Sequence, residues 1–431
     1  MIINVYPMKS KIKLFSFLLI FFVFLSFTHH GQVKPQNPSI PLTLEQVLAL
    51  ALEQNGLVKG AMYQADYQKA LKPTATEIGK TNLGLQYGQY NSFMNDNNLT
   101  IAQNLPFPTV FAKQKQLAAA HIQYAEQQVV TTQRDLVKMV KNAYFTYLFV
   151  LEKQQLLRYQ DSIYTEFLRA AELRYKTGET NQLERALAQS QSLEVKNLLM
   201  QNQADQQIVA TQLQTLLQNS QPILLVEKRL KKLTFQPQIA DTTTLATHPL
   251  LQLLQQQIIV NQQITKVEKS RLLPDINVGF FSQTLVGYQR AFNDNNDMYF
   301  DYNKRFNGVA LGLAFPLWAK PQNARIQAAK VQEKIAQNQY EYAQINLESQ
   351  YLQIVQEYTK LQNTLTYYEQ NALPTADLLL STAQKEFRSG NIDYVAHFQG
   401  LTRALTVKSA YYEVLNRYNQ VVVELEFLVG K

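Results

Sequence analysis

The chain has 431 residues, a formal net charge of +8, no cysteine, and only 14 glycines and 14 prolines. Without Cys there is no disulfide framework and no thiolate metal site, and a mild basic excess spread along the chain is no footprint for nucleic acid. Scarce Gly and Pro beside abundant Gln, Ala and Leu predict a mainly helical chain with few breaks.

Residues 1–31 read as a secretory signal peptide. Lys9, Lys11 and Lys13 precede the apolar run Leu14–Phe27, and a polar stretch follows with cleavage expected near Gly31. That run of fourteen residues falls short of the roughly 18 to 20 that a spanning helix needs. Loss of the three lysines lowers the charge from +8 to +5. No later apolar run approaches spanning length, so a mature membrane protein of this sequence would have to span as a β-barrel.

A first repeat is assigned to 32–240. Thr43 can cap a helix that runs to about Leu71 and ends at Lys72-Pro73. Approximate alternation over Thr81–Tyr90 and again over Leu99–Leu105 predicts a β-hairpin, 81–106, closed by Pro106-Phe107-Pro108. A long helical hairpin, 112–221, follows. Its first arm carries Leu136, Val140, Ala143, Tyr147, Val150 and Leu157 at steps of four and three, with Gln154 in the one gap, a coiled-coil seam rather than a broad globular face. Tyr175-Lys176-Thr177-Gly178 interrupts the two arms as a tight turn, because Gly tolerates the left-handed conformation at a helix C-terminus.

The second repeat, 241–431, reads the same way. A helix from Leu250 ends at Pro274, a hairpin spans 275–316 with a loop from Leu285 to Gly308, and a helical hairpin covers 322–430 with its turn at Phe387-Arg388-Ser389-Gly390. Pro106 and Pro316 stand 210 positions apart, Gly178 and Gly390 212, so the chain is an internal duplication. The last helix carries a seam at Tyr411, Leu415, Tyr418, Val422, Leu425 and Val429. Pro374 falls inside the second long helix where the first repeat has Ser162, which predicts a kink in the second repeat alone.

Four strands cannot close a barrel, since about eight are needed even for a narrow one. In lipid their open edges would have to be completed by other copies of the chain. Long seams with many Gln, Lys and Glu between them suit a hollow cylinder with water on both sides.

The duplicated helix, strand, strand, helix, helix plan, the Leu42-Thr43-Leu44-Glu45 start, the Val309–Trp318 strand end and the Tyr175–Gly178 turn resemble the TolC-like outer-membrane efflux protein family. The resemblance covers about Leu42 to Gly430 and lies in the order and repetition of short motifs. It implies a homotrimer with a twelve-stranded outer-membrane barrel in lipid and an α-helical periplasmic tunnel, a passive exit duct for an inner-membrane pump of the resistance-nodulation-division class reached through a periplasmic adaptor. The stretches Gly79–Pro108 and Glu172–Thr180 are similar to channels that serve heavy-metal-exporting pumps of that class. The duct of a type I secretion or drug efflux system remains the nearest alternative, and a periplasmic coiled-coil structural or adaptor protein is the alternative of another class.

On that resemblance Tyr175, Lys176, Thr177 and Gly178, with Phe387, Arg388, Ser389 and Gly390, form the adaptor-docking tips, each offering an aromatic and a base of the kind favoured in interface cores. Family members often place gate acids six and nine residues after the second tip glycine, where this chain has Ala396 and Gln399. Glu179, Glu184 and Asp393 remain as gate candidates, although helix N-termini attract acids in any case. Pro106, Pro316 and Trp318 mark the junction of barrel and tunnel. Aromatics including Tyr87, Tyr90, Phe93, Phe280 and Tyr288 gather around the strands, as at a lipid interface. Neither a catalytic motif nor a His pair with metal-ligand spacing occurs, so no enzyme, cofactor or metal site is expected.

Overall fold

The structure, a computed structural model, describes residues 41–219, 221–235, 242–290 and 296–430. The expected signal peptide, 1–31, and the connector residues 236–241 lie outside the described residues.

Helix α1 (Leu44–Gln54) begins with a capping box: the Thr43 hydroxyl accepts the Gln46 N–H and the Gln46 side chain accepts the Thr43 N–H. The single helix expected to run on to Leu71 is broken at Asn55, whose backbone is extended at ψ 130°. Its side chain accepts the Leu57 N–H at 2.8 Å, capping α2 (Gly56–Leu71), and donates to the Leu216 carbonyl at 2.8 Å. An Asn that can compete for local backbone bonds, and that also satisfies an orphan carbonyl at another helix's end, makes the break favourable.

A 3₁₀ turn, Lys72–Thr76, leads to β1 (Asn82–Gly88) and β2 (Asp96–Leu105). Pro108 then starts α3 (Pro108–Lys176), earlier than the expected 112, because Pro suits a first helical turn, where its missing N–H would be unpaired anyway. Its 69 residues give a rod of about 103 Å. Helix α4 (Gln182–Leu217) returns alongside it.

A second 3₁₀ turn, Thr242–Thr247, precedes α5 (Pro249–Ser270), β3 (Asp275–Thr284), β4 (Gly287–Arg290), β5 (Asp297–Phe300) and β6 (Arg305–Ala314). The loop expected over 285–308 thus contains a small hairpin of its own, β4 on β5, with Tyr288 edge-on to Tyr299 and an Arg290–Asp297 ion pair at 2.8 Å. Four-residue strands are too short for alternation to announce them.

Then come α6 (Lys320–Tyr367), α7 (Leu373–Arg388) and α8 (Tyr394–Val429). Where a kink is expected, just before Pro374, a π turn, Tyr368–Ala372, separates α6 from α7. Pro cannot donate to the preceding turn, and the wider turn absorbs the loss. The equivalent rod α3 runs unbroken.

The four long strands form one antiparallel sheet in the order β1-β2-β3-β6, so the hairpins of the two repeats meet at β2 and β3 and leave β1 and β6 as open edges. The largest core lies where α1, α3, α4, α5, α6 and α8 converge. Leu136, Val140, Ala143, Val150 and Leu157 are buried as their spacing predicts, and so are Tyr144, Phe145 and Leu148. Here α3 buries a broad face and not the narrow seam expected, because it packs against α1, α4, α5 and α8 together. The connector is tied down by the fully buried Asn419, which accepts the Leu233 N–H at 3.0 Å and donates to the Lys231 carbonyl at 2.8 Å.

Candidate functional sites: the paired turns and the two-faced sheet

Both helical turns are built alike. After α3 the Glu179 N–H donates to Arg174 O at 2.8 Å and the Gly178 N–H to Tyr175 O at 3.2 Å; after α7 the Asn391 N–H donates to Glu386 O at 2.9 Å and the Gly390 N–H to Phe387 O at 3.1 Å. These are Schellman turns, and Gly178 and Gly390 supply the left-handed residue at φ 76° and 78°. Each return helix then starts from an Asx cap: Asn181 accepts the Glu184 N–H at 3.0 Å, and Asp393 accepts the Ala396 N–H at 2.7 Å.

The tip aromatics are less bare than the sequence suggests. Tyr175 is half-buried under the Arg185 guanidinium, 4.9 Å from its ring centre, and Phe387 is half-buried with its ring flat against His397 at 4.2 Å. Lys176 and Arg388 are exposed, while Thr177 and Ser389 turn their hydroxyls back to helix carbonyls. Of the gate candidates, Glu179 stands 3.9 Å from Arg174, Glu184 accepts the Thr180 hydroxyl, and the Asp393 carboxylate is engaged as the α8 cap. No hydrogen bond or ion pair between these three acids is seen among the described residues.

What joins the two turns is an aromatic cluster that sequence reading missed. Phe167 of α3 stacks on Tyr394 of α8 at 3.9 Å and lies 5.6 Å from Phe398, with Ala171 and Ala188 packed around them. Burial pushes the Tyr394 hydroxyl up, and the nearby Glu184 adds to the shift. The signal was present in the Tyr394, His397, Phe398 spacing, which places three rings on one side of a helix.

The sheet has two unlike faces, since side chains alternate along each strand. One cross-strand row is Leu83, Ile101, Phe280, Val309, all four exposed; Leu85 and Leu99 adjoin it above, Val278 and Leu311 below. Rows of the opposite face read Asn82, Ala102, Gly279, Ala310 and Gly84, Thr100, Phe281, Gly308, with Asn98 and Gln283 beyond. Phe281 lies over Gly308 so closely that a Cβ there would sit 2.3 Å from the ring. Pro106 directly follows β2, and Phe315, Pro316, Leu317 and Trp318 follow β6, with Trp318 89% exposed. Ser282 and Asn307 complete the Leu85 and Leu99 row, so the exposed face is mainly apolar with a polar end, and the face behind it is mainly small and polar apart from Phe281. Such alternation is what a membrane-spanning barrel wall requires.

Residues 242–431 match the family model described as Outer membrane efflux protein. Over its second repeat the chain is therefore similar to that family. The solved structures extend the fold to the first half: the outer-membrane channel OprN is similar at a TM-score of 0.75 and 16% identity, over 90% of this chain and 89% of OprN. VceC from Vibrio cholerae gives 0.71 and 16% over 90% and 96%, and CusC 0.74 and 12% over 92% and 95%. No curated protein matches the chain. The family model and the structures of OprN and CusC are described as an efflux protein or as membrane channels and not as enzymes, in keeping with the expectation that the chain is no enzyme.

Proposed function

We propose that the protein is a trimeric outer-membrane channel, the passive exit duct of a tripartite efflux pump. The observation that carries this is the exposed row Leu83, Ile101, Phe280, Val309 on a sheet with two open edges. Unpaired edges in lipid must be closed, and a single four-stranded sheet is half of the roughly eight strands that a narrow barrel needs. Three copies bring twelve strands and turn the polar face toward a water-filled lumen. Trp318 and the prolines Pro106 and Pro316 then sit where barrel meets periplasmic tunnel, and the paired turns form the far end.

At that end Lys176 and Arg388, exposed beside Thr177 and Ser389, dock a periplasmic adaptor that links the duct to an inner-membrane pump of the resistance-nodulation-division class. Glu179, Glu184 and Asp393 line the narrowing there. The cargo is heavy-metal cations, a reading supported by the likeness of Gly79–Pro108 and Glu172–Thr180 to channels of metal-exporting pumps.

The experiment is fractionation with a deletion. The protein is expected in the outer membrane as a heat-sensitive trimer, and its loss is expected to lower tolerance to copper, zinc, cobalt or cadmium. A water-soluble mature protein would overturn the channel. Unchanged metal tolerance with new sensitivity to hydrophobic antibiotics would move the cargo to drugs.

A further inference from the structure

His397 lies in the seam between the two hairpins, just behind their turns. It is 8% exposed, its ring is stacked on Phe387 of α7 at 4.2 Å and 8°, and the Phe167 ring of α3 is 5.6 Å away. Neither ring nitrogen has a hydrogen-bond partner. The ring walls one side of an open cavity of about 240 Å³, whose other sides include Ile163, Glu166 and Ala170 of α3 and Gln384 and Arg388 of α7.

A neutral imidazole fits this place as a flat apolar slab. Protonation would create a cation with two N–H donors and no acceptor within reach, which burial penalises. Accordingly burial holds its pKa below the ordinary 6.5. Charges face the ring from each element around it. Arg388 on α7 lines the same cavity, and Arg174 further along α3 acts on the neighbouring Tyr394. Glu166 on α3 lines the cavity with it, Asp393 is engaged as the cap of α8, and Glu184 of α4 is bonded to Thr180. The Phe387 face would attract an imidazolium, but one π-face does not replace two hydrogen bonds and a hydration shell.

We propose that His397 makes the joint between the two hairpins acid-labile: neutral, its ring holds α7 and α8 against α3, and on protonation it leaves Phe387 for water or Glu166, so that the two turns part. The proton comes from solvent. Because the closed-state pKa is depressed, the joint has full strength above pH 6.5. From there its closed-to-open ratio falls about tenfold per pH unit until the ring's own lower pKa is reached, and no further below it. The other histidines whose burial is described are remote: His121 lies 46 residues from Phe167 along α3, about 69 Å at the helical rise, and His248 caps α5 beside Phe427. Any effect on transport rests on the efflux-duct reading; the acid-labile joint itself does not.

The chain has no Cys, so Leu183→Cys and Val395→Cys, both at exposed positions on the two return helices, accept spin labels cleanly. In the full-length protein, with labelled chains diluted among unlabelled ones, the distance between them is followed from pH 8 to pH 5. The expected result is one short distance at pH 8 that lengthens and broadens toward pH 5, and a His397→Phe chain that keeps the short distance throughout. No change in the parent chain, or the same change in His397→Phe, overturns the proposal. Should His397→Phe not fold, the neutral His397→Gln takes its place with the same two outcomes. A chain whose turns part in acid but which conducts no solute in bilayers would sink the duct reading and leave the joint standing.

Discussion

The Phe167 ring lies 3.9 Å from that of Tyr394 and within 17° of parallel, so the α3–α4 hairpin of the first repeat and the start of α8 in the second share one buried stack behind their turns. Both rings are almost wholly buried. Phe167→Ala should cost about 3 kcal/mol. In a double-mutant cycle with Tyr394→Ala the two changes should couple by about 1 kcal/mol, the worth of an aromatic pair beyond its area. Chemical denaturation of the four proteins measures both; additive losses would mean that the rings act independently and that other contacts join the hairpins.

The turn glycines test a backbone effect without a packing effect. Nothing lies within 4 Å of a Cβ built on Gly178 or Gly390, so Gly→Ala at either meets only the strain of its positive φ. Each substitution should cost about 1 kcal/mol, and the two should add, because the turns share no backbone bond. Hydrogen exchange at Glu179 and Asn391, the last donors of the two Schellman turns, should quicken locally while the main core stays protected.

Asn55 divides its work between two helices. Asn55→Ala removes the cap on Leu57 and leaves the Leu216 carbonyl without its donor, an expected loss of about 2 kcal/mol. Asn55→Asp keeps the cap and loses only the donor, so it should fall between the parent and the alanine variant. Thermal unfolding ranks the three; an aspartate as damaging as alanine would place the whole effect at Leu216.

These residues also mark how far the sequence could be read. Gly178, Gly390 and the prolines announce themselves because a special φ or a missing N–H constrains the chain locally, and the duplication repeats the signal. Pro374 likewise gave the place of the break that the π turn fills. Asn55 did not announce its break, because half of its bonding lies 161 positions away at Leu216, and local pattern carries no account of such a partner. The joint of Phe167, Tyr394, His397 and Phe398 was hidden for the same reason: each ring is an ordinary helix residue until the repeats are set side by side. On the sheet, alternation located the strands, but only the register assembled Leu83, Ile101, Phe280 and Val309 into one row.

That row yields the sharpest test of membrane placement. Leu311 projects from the apolar face and Asn277 from the opposite one, on directly adjacent strands β6 and β3. If the apolar face meets lipid, Leu311→Arg should destabilise the assembled barrel by about 2 to 4 kcal/mol, the cost of a base near the bilayer midplane. Asn277→Arg would add its charge to a water-filled lumen, so it should assemble normally and shift the single-channel current toward anions. Heat-modifiability on gels reads the first effect and planar-bilayer recording the second. Two equally tolerated arginines would mean that no lipid touches Leu311, and the reversed order would turn the barrel wall inside out.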